Sequence, residues 1–402
     1  MKSHSGSFYK FVSVHTFLIG LFPFYLPVFL WKLDYSISEI SYFIALAGIG
    51  YFLALWTWER IHRFVSLKKI FLLSLLLELA LLSIIFASEK QAFFPVLALL
   101  YGAYNCFFWI TNRVLFIEGV TPENSGKNFG NFQIVVAVIL KIGVFSGGLL
   151  LDKFNYPTLF IVSILVVLLG ALLFAINNTN LMQVSQSLLQ AQTIGMVNLL
   201  KFKDEFRSKF IFIVDGLFLF LESFFWVISL FIIVQESYWQ LGILVIILMA
   251  IFGLMFYFIK NAIDKLPVTS VYRVSVALYV SSWIIRGLLS EDLDRPLIFV
   301  MLILITFFTS MFRLAFNKRF FDLAKATTTF QYIFLKSYYS QFFIVIWFGI
   351  LGLVLSKVDS PEQALSYTYF ASSVIALGYF LYRPSEEIAT SKLIQETVNG
   401  TA

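Results

Sequence analysis

The chain has 402 residues, of which 60% are hydrophobic and 13% charged, with a formal net charge of +6. The charged share is about half that of a soluble domain, and one soluble core cannot bury so much apolar surface, so the excess requires lipid. The same composition excludes disorder, collagen-like repeats and coiled coils. One cysteine, Cys106, excludes an internal disulfide, and with only three histidines it argues against a His/Cys metal site.

Apolar runs of roughly 20 residues predict membrane-spanning helices. Twelve are expected, over 11–31, 38–57, 66–87, 91–115, 129–151, 156–176, 210–234, 238–259, 270–289, 296–317, 329–356 and 363–382. The first run is too long for a signal peptide, carries Pro23 and Pro27, and lacks a small-residue cleavage site. The longest gap, Asn177–Lys209, divides the chain into six runs plus six. The expected fold is therefore all-α and polytopic: twelve transmembrane helices in two pseudo-symmetric six-helix bundles, 1–176 and 210–402, joined by a cytoplasmic loop over 177–209.

Lysine and arginine placement sets the orientation. With the N-terminus inside, nineteen basic residues fall in inner segments and five in outer ones: Lys32, Lys90, Lys153, Arg295 and Lys357. Both termini are then cytoplasmic, in the plasma (bacterial inner) membrane. The basic balance lines one membrane face and implies no nucleic-acid partner. The central gap turns amphipathic and basic through Lys201–Lys209, which predicts a helix on the inner leaflet. The sequon at Asn177 faces the cytoplasm on this topology and carries no meaning.

An internal repeat fits the six-plus-six layout. At an offset of 200 residues, Phe107, Phe108 and Arg113 meet Phe307, Phe308 and Arg313, while His15 falls over Asp215 and Leu21 over Leu221.

No catalytic or nucleotide motif appears. Gly126-Lys127 fails as a P-loop, with Thr121 in place of the first glycine and Asn128 where Ser or Thr would bind Mg²⁺. Neither Gly-x-Ser-x-Gly nor His-Glu-x-x-His occurs. No enzyme activity, cofactor or ATP is expected.

Charge within the spans is informative, because a charge at the bilayer centre costs roughly 2.5–3.5 kcal/mol and needs a cavity, a partner or a proton. Lys141 lies mid-span 5, and Glu222 midway along span 7, seven residues after Asp215 and so on the same helical face. Either the pair is functional, handling a proton or an anionic group, or it is a structural ion pair. Glu78 in span 3 reads as a protonated carboxyl bonded to a neighbouring helix. Arg286 is close enough to the outer end of span 9 to snorkel. Lys336, Tyr338 and Tyr339 in span 11 reach either a cavity or an interface. Asn105, Trp109 and Asn112 form one stripe of span 4. It suits a neutral polar solute and equally suits interhelical hydrogen bonding.

The layout resembles the major facilitator superfamily of secondary transporters. After span 2, Glu59-Arg60 and Arg63, followed by Lys68-Lys69, look like the family's acid–Arg loop, with Leu55 and His62 standing where that loop has glycines. Thr121-Pro122 with Gly126 and Gly130, and Gly147–Tyr156 at the junction of spans 5 and 6, also resemble family turns. Span 5 lacks the Gly-Pro step of family antiporters.

The resemblance implies alternating access with spans 1, 4, 7 and 10 lining the central cavity. It places Glu222, Lys141, Asn105, Trp109 and Asn112 as candidate solute or ion residues. His15, Arg113, Asp215 and Arg313 become candidate gating groups, with Asp215 and Arg313 at equal depth and able to pair. The expected function is proton-coupled secondary transport of a small organic solute, the bilayer, the solute and protons being the partners. An uncoupled facilitator, a drug exporter and a non-transporting receptor or assembly protein are the alternatives.

Overall fold

The computed structural model describes residues 13–87, 94–119, 125–176, 193–263, 268–326 and 329–383. Most of these residues are helical, and there is no strand among them. The helices are α1 Ser13–Lys32, α2 Ile37–Ile61, α3 Leu67–Ala87, α4 Phe94–Gly119, α5 Ser125–Lys153, α6 Tyr156–Ile176, α7 Ser208–Ile233, α8 Tyr238–Ile263, α9 Val268–Leu288, α10 Arg295–Ala326, α11 Thr329–Leu355 and α12 Pro361–Leu381. Eight of them (α1–α4, α7 and α10–α12) are long and apolar enough to cross a membrane, and α6 and α8 add shorter apolar stretches. The chain is an integral membrane protein. The apolar runs place most helix ends to within four residues. The largest departure is α10, which continues past residue 317 to Ala326 because its last turns are polar helix outside any apolar window.

Local chemistry explains the starts and breaks. Ser36 and Glu39 cap α2 reciprocally, each side chain accepting from the other residue's backbone N–H. Ser360 accepts from the Gln363 N–H at the start of α12, with Pro361 in the first turn. Pro23 and Pro27 lack the N–H that an α-helix needs, and α1 passes through a 3₁₀ turn at Pro23–Tyr25. Helix α7 widens into a π turn at Leu221–Phe225, a feature that often marks functional positions.

The chain packs as two compact units. The first comprises Met1–Thr193, Phe220–Met249 and Ile344–Lys357. Within it α4 lies against α2 and α3, and α3 also packs on α6. The α2–α4 crossing brings backbones together at Gly50 and Gly102. A Cβ on Gly102 would sit 2.7 Å from the Tyr51 nitrogen and 2.8 Å from the Ala47 carbonyl carbon. Buried Trp58 fastens the same pair of helices, donating to Thr111 Oγ1 at 2.9 Å. Helix α5 approaches α1 at Gly20 and Gly143 in the same manner.

The second unit comprises Ile194–Leu219, Ala250–Phe343 and Val358–Ala402. In it α9 packs on α10 and α12, the arrangement that α3 makes with α4 and α6 six helices earlier. Aromatic rings fill its core: Tyr279 stacks on Phe312 at 4.0 Å and Trp283 is fully buried. Arg319 is buried too, its guanidinium 3.6 Å over Tyr272 and donating to the Tyr382 carbonyl at 2.6 Å.

Two expectations are corrected. Arg286 does not snorkel. It is 3% exposed, donates to Ser282 Oγ at 2.8 Å and Thr309 Oγ1 at 2.9 Å, and lies over Trp283. Hydroxyls one turn away and on α10 hold its two terminal nitrogens inside the unit. No surface helix runs through Lys201–Lys209. A six-residue helix, Met196–Lys201, ends there, and Asp204 Oδ1 accepts from the Ser208 N–H at 2.9 Å to start α7. Asn177, residues up to 192, and the Thr121-Pro122 turn lie outside the described residues.

Candidate functional site

Three polar clusters are built into helices that are otherwise apolar. In the second unit, Asp215 of α7 is held from three sides. Arg313 Nη1 of α10 donates to Oδ1 at 2.8 Å, Lys336 Nζ of α11 lies 2.9 Å from Oδ2, and the Tyr379 hydroxyl of α12 donates to Oδ1 at 2.8 Å. Four helices therefore meet on one carboxylate. Its side chain is 8% exposed, with Lys336 at 12% and Arg313 at 23%. The lysine head also lies 4.8 Å over Phe320 and 5.2 Å over Phe316. Asp215 and Arg313 thus meet directly. Lys336 and Tyr379 join them from helices whose neighbourhood a linear sequence does not reveal.

The first unit holds a second cluster. His15 of α1, Glu78 of α3 and Tyr104 of α4 are all fully buried. The Tyr104 hydroxyl is 2.9 Å from His15 Nε2 and 3.3 Å from Glu78 Oε1, and His15 Nδ1 is 3.4 Å from Glu78 Oε2. Phe108 stacks on the imidazole at 3.6 Å. His15 is therefore joined to Glu78 and Tyr104 rather than to Arg113, which forms no ion pair among the described residues. Glu78, read from sequence as a structural carboxyl, faces the one histidine of the described spans. Seven positions separate Glu78 from Phe71, whose ring meets His15 edge-on, and that spacing is the only local sign that the acid shares His15's environment.

The third cluster lies in two turns of the first unit. Lys32, the last residue of α1, pairs with Glu236 in the turn between α7 and α8, and Trp31 Nε1 donates to the same carboxylate at 3.0 Å. Both turns use left-handed backbone at non-glycine residues: Asp34 at φ 62°, Gln235 at 55° and Glu236 at 59°. Such conformations cost free energy that surrounding contacts must offset. Nearby, Ser38 Oγ of α2 donates to the Gly352 carbonyl of α11 at 2.8 Å, and Phe43 meets Phe224 at 6.0 Å.

The hydrogen bonds from Lys32, then those from Trp31, hold the Glu236 carboxyl below the usual carboxylate range. A lowered value makes the clamp fully present above the ordinary carboxyl range and lost as pH falls through the lowered value. Acidification through that value should therefore lower the melting temperature of wild type more than that of Glu236→Gln, which has no carboxylate to lose.

The remaining predicted residues are dispersed. Glu222 sits half-buried in the π turn of α7, and Lys141 half-buried on α5. No ion pair joins them among the described residues, so the structural-pair alternative fails there. Asn105 Nδ2 donates to the Tyr101 carbonyl one turn back at 2.8 Å, and Trp109 meets Phe108 edge-on at 4.9 Å. Asn112 is 5% exposed, and its Oδ1 accepts no hydrogen bond among the described residues. At the end of α2, Glu59 in its last turn and His62 just past it are buried, His62 stacking on Trp58 at 5.2 Å. Arg60 folds back over Trp56 at 3.6 Å, and Arg63 is exposed.

No family model and no curated protein sequence matches the chain. Solved structures do. The nucleoside transporter NupG matches at 14% identity over 92% of this chain and 97% of its own, with a TM-score of 0.68. A bacterial homologue of the human drug peptide transporters PepT1 and PepT2 matches at 10% identity, over 99% of this chain and all of its own, with a TM-score of 0.68. Tetrameric PepTSo2 matches at 11% identity over 99% and 100%, with a TM-score of 0.65. The chain shares its fold with these structures, and the proteins it resembles are transporters, not enzymes.

Proposed function

We propose that the chain is a secondary active transporter that moves a small organic solute by alternating access, driven by protons. The observation that carries this reading is the match of the whole chain, at TM-scores of 0.65 to 0.68, to two kinds of solute transporter. On the proposed topology the two bundles are 1–176 and 210–402, the twelve helices cross the plasma membrane, the 177–209 segment is an inner loop, and both termini are cytoplasmic. The Lys32–Glu236 clamp and the Ser38–Gly352 bond then close the outer side, the closure an alternating-access cycle must make and break.

For solute contact we put forward Glu222, Lys141, Asn105, Trp109 and Asn112. The π turn offers Glu222 on a helix whose regular ladder is already interrupted. The buried Asn112 Oδ1 is an acceptor without a donor among the described residues, a vacancy that a solute N–H or O–H fills at little desolvation cost. Asp215, Arg313, His15 and Arg113 are placed in gating, with Lys336 and Tyr379 added to the Asp215 group.

Nucleosides and small peptides are the first probes, because the resembling transporters carry those names. A ligand that binds the folded state raises the melting temperature by mass action, by about 2.7 kcal/mol of stability at a hundredfold excess over Kd. Purified protein should show such a rise with at least one compound of a nucleoside and di- and tripeptide panel, and Asn112→Leu should reduce it. A flat response to the panel would argue against both solute classes.

A further inference from the structure

We propose that His15, Glu78 and Tyr104 form the site that holds the driving proton, an assignment that rests on the reading of the chain as a proton-driven transporter. The three side chains sit on three different helices of the first unit and are sealed from solvent, with relative exposures of 0%, 2% and 1%. His15 Nδ1 and Glu78 Oε2 have no other hydrogen-bond partner among the described residues and face each other at 3.4 Å. The cluster is thus a closed triangle of three contacts: tyrosine to imidazole, tyrosine to carboxyl and imidazole to carboxyl.

Counting hydrogens fixes what the triangle does. A phenol, an imidazole and a carboxyl carry three labile hydrogens when the group as a whole is neutral. Three hydrogens satisfy three contacts. Tyr104 donates to Glu78 Oε1, His15 Nε2–H donates to the tyrosine oxygen, and the third proton lies between Oε2 and Nδ1. Remove one and only two contacts can be made. Tyr104 then turns to donate to Nε2, Nδ1–H donates to Glu78, and the tyrosine–carboxylate contact is empty. The cluster is left with one negative charge. No lysine or arginine pairs with Glu78 among the described residues, so that charge is uncompensated. The sealed form therefore holds one proton and gives it up to water only when α1, α3 and α4 part. A proton that can leave only on opening is coupled to the conformational cycle.

Few other ionisable groups bear on the triangle. Tyr101 stands one turn before Tyr104 on α4, and its phenol is neutral. Helix α6 behind α3 has no ionisable side chain except Tyr156 at its start, α5 beside α1 carries Lys141, and the acids and base of α2 (Glu39, Glu59, Arg60) lie towards its ends.

The test uses the full-length protein with ¹⁵N-labelled histidine. His15 is assigned by its loss in His15→Gln, and proton release is measured by titration alongside. Wild type should release one proton more than Glu78→Gln, in the step at which the His15 ring signal changes. In Glu78→Gln that ring should stay neutral throughout. Tyr104→Phe keeps the ring packing but removes two contacts from the loaded form and one from the unloaded form. Its proton loss should move to lower pH by about one unit, the equivalent of one hydrogen bond. Equal proton release in wild type and Glu78→Gln, or an unmoved step in Tyr104→Phe, overturns the site.

A flux arm separates the two readings, using proteoliposomes with labelled uridine and dialanine under an imposed pH gradient. Accumulation by wild type that Glu78→Gln loses supports the coupling role, and equal accumulation by both overturns it. Absence of accumulation by wild type overturns the proton-driven reading, while the titration still decides the site.

Discussion

Asp215→Ala is expected to destabilise the protein by about 3–5 kcal/mol, the usual cost of removing one partner of a buried ion pair. It leaves Arg313 and Lys336 as two cations facing an empty space, and strips Tyr379 of its acceptor. Lys336→Met should behave quite differently. It leaves the neutral Arg313–Asp215 pair intact and keeps an apolar stem against Phe316 and Phe320, so stability should change by less than about 1.5 kcal/mol. Asp215→Asn combined with Lys336→Met should fall between them. Thermal or denaturant unfolding in detergent reads the order. Equal losses in Asp215→Ala and Lys336→Met would show that the carboxylate is not the hub.

A second large effect is expected at the α2–α4 crossing. In Gly102→Leu the new side chain meets the backbone of Ala47 and Tyr51, which cannot swing aside as a flexible side chain would. Overpacking typically costs 1–3 kcal/mol where side chains absorb it, and about that or more is expected here. The variant should express poorly or melt far below wild type. Gly349→Ala on α11 is the control. A Cβ there meets nothing within 4 Å, and alanine is the better helix former by about 1 kcal/mol, so stability should hold or rise. Two small changes at helical glycines are thus expected to have opposite signs, decided by what stands opposite each one.

Much of the fold was legible because a lipid-facing helix must be apolar for about 20 residues, and that signal survives without any knowledge of neighbours. It fixed helix ends such as 156–176, and it failed at α10, where a helix continues beyond its apolar stretch. The 200-residue offset also placed His15 over Asp215, and each proves to be the hub of a buried polar cluster in its own unit.

The partners were less legible. Asp215 was expected with Arg313 alone, yet Lys336 and Tyr379 complete the group from α11 and α12. A charge swap of Asp215 and Arg313 would therefore set an arginine beside Lys336. Arg286 misled for a related reason. Position along the chain suggested the outer end of its span, whereas hydroxyls on α9 and α10 supply buried partners. Side-chain reach between helices depends on rotation and crossing, which apolar run length does not encode.

Flux into proteoliposomes tests the central claim most directly. Purified protein, reconstituted and given an inside-alkaline pH gradient, should accumulate a labelled nucleoside or small peptide above its outside concentration, and a protonophore should abolish the accumulation. Uptake of every nucleoside and peptide probe no faster than in protein-free vesicles, with and without the gradient, would contradict the account.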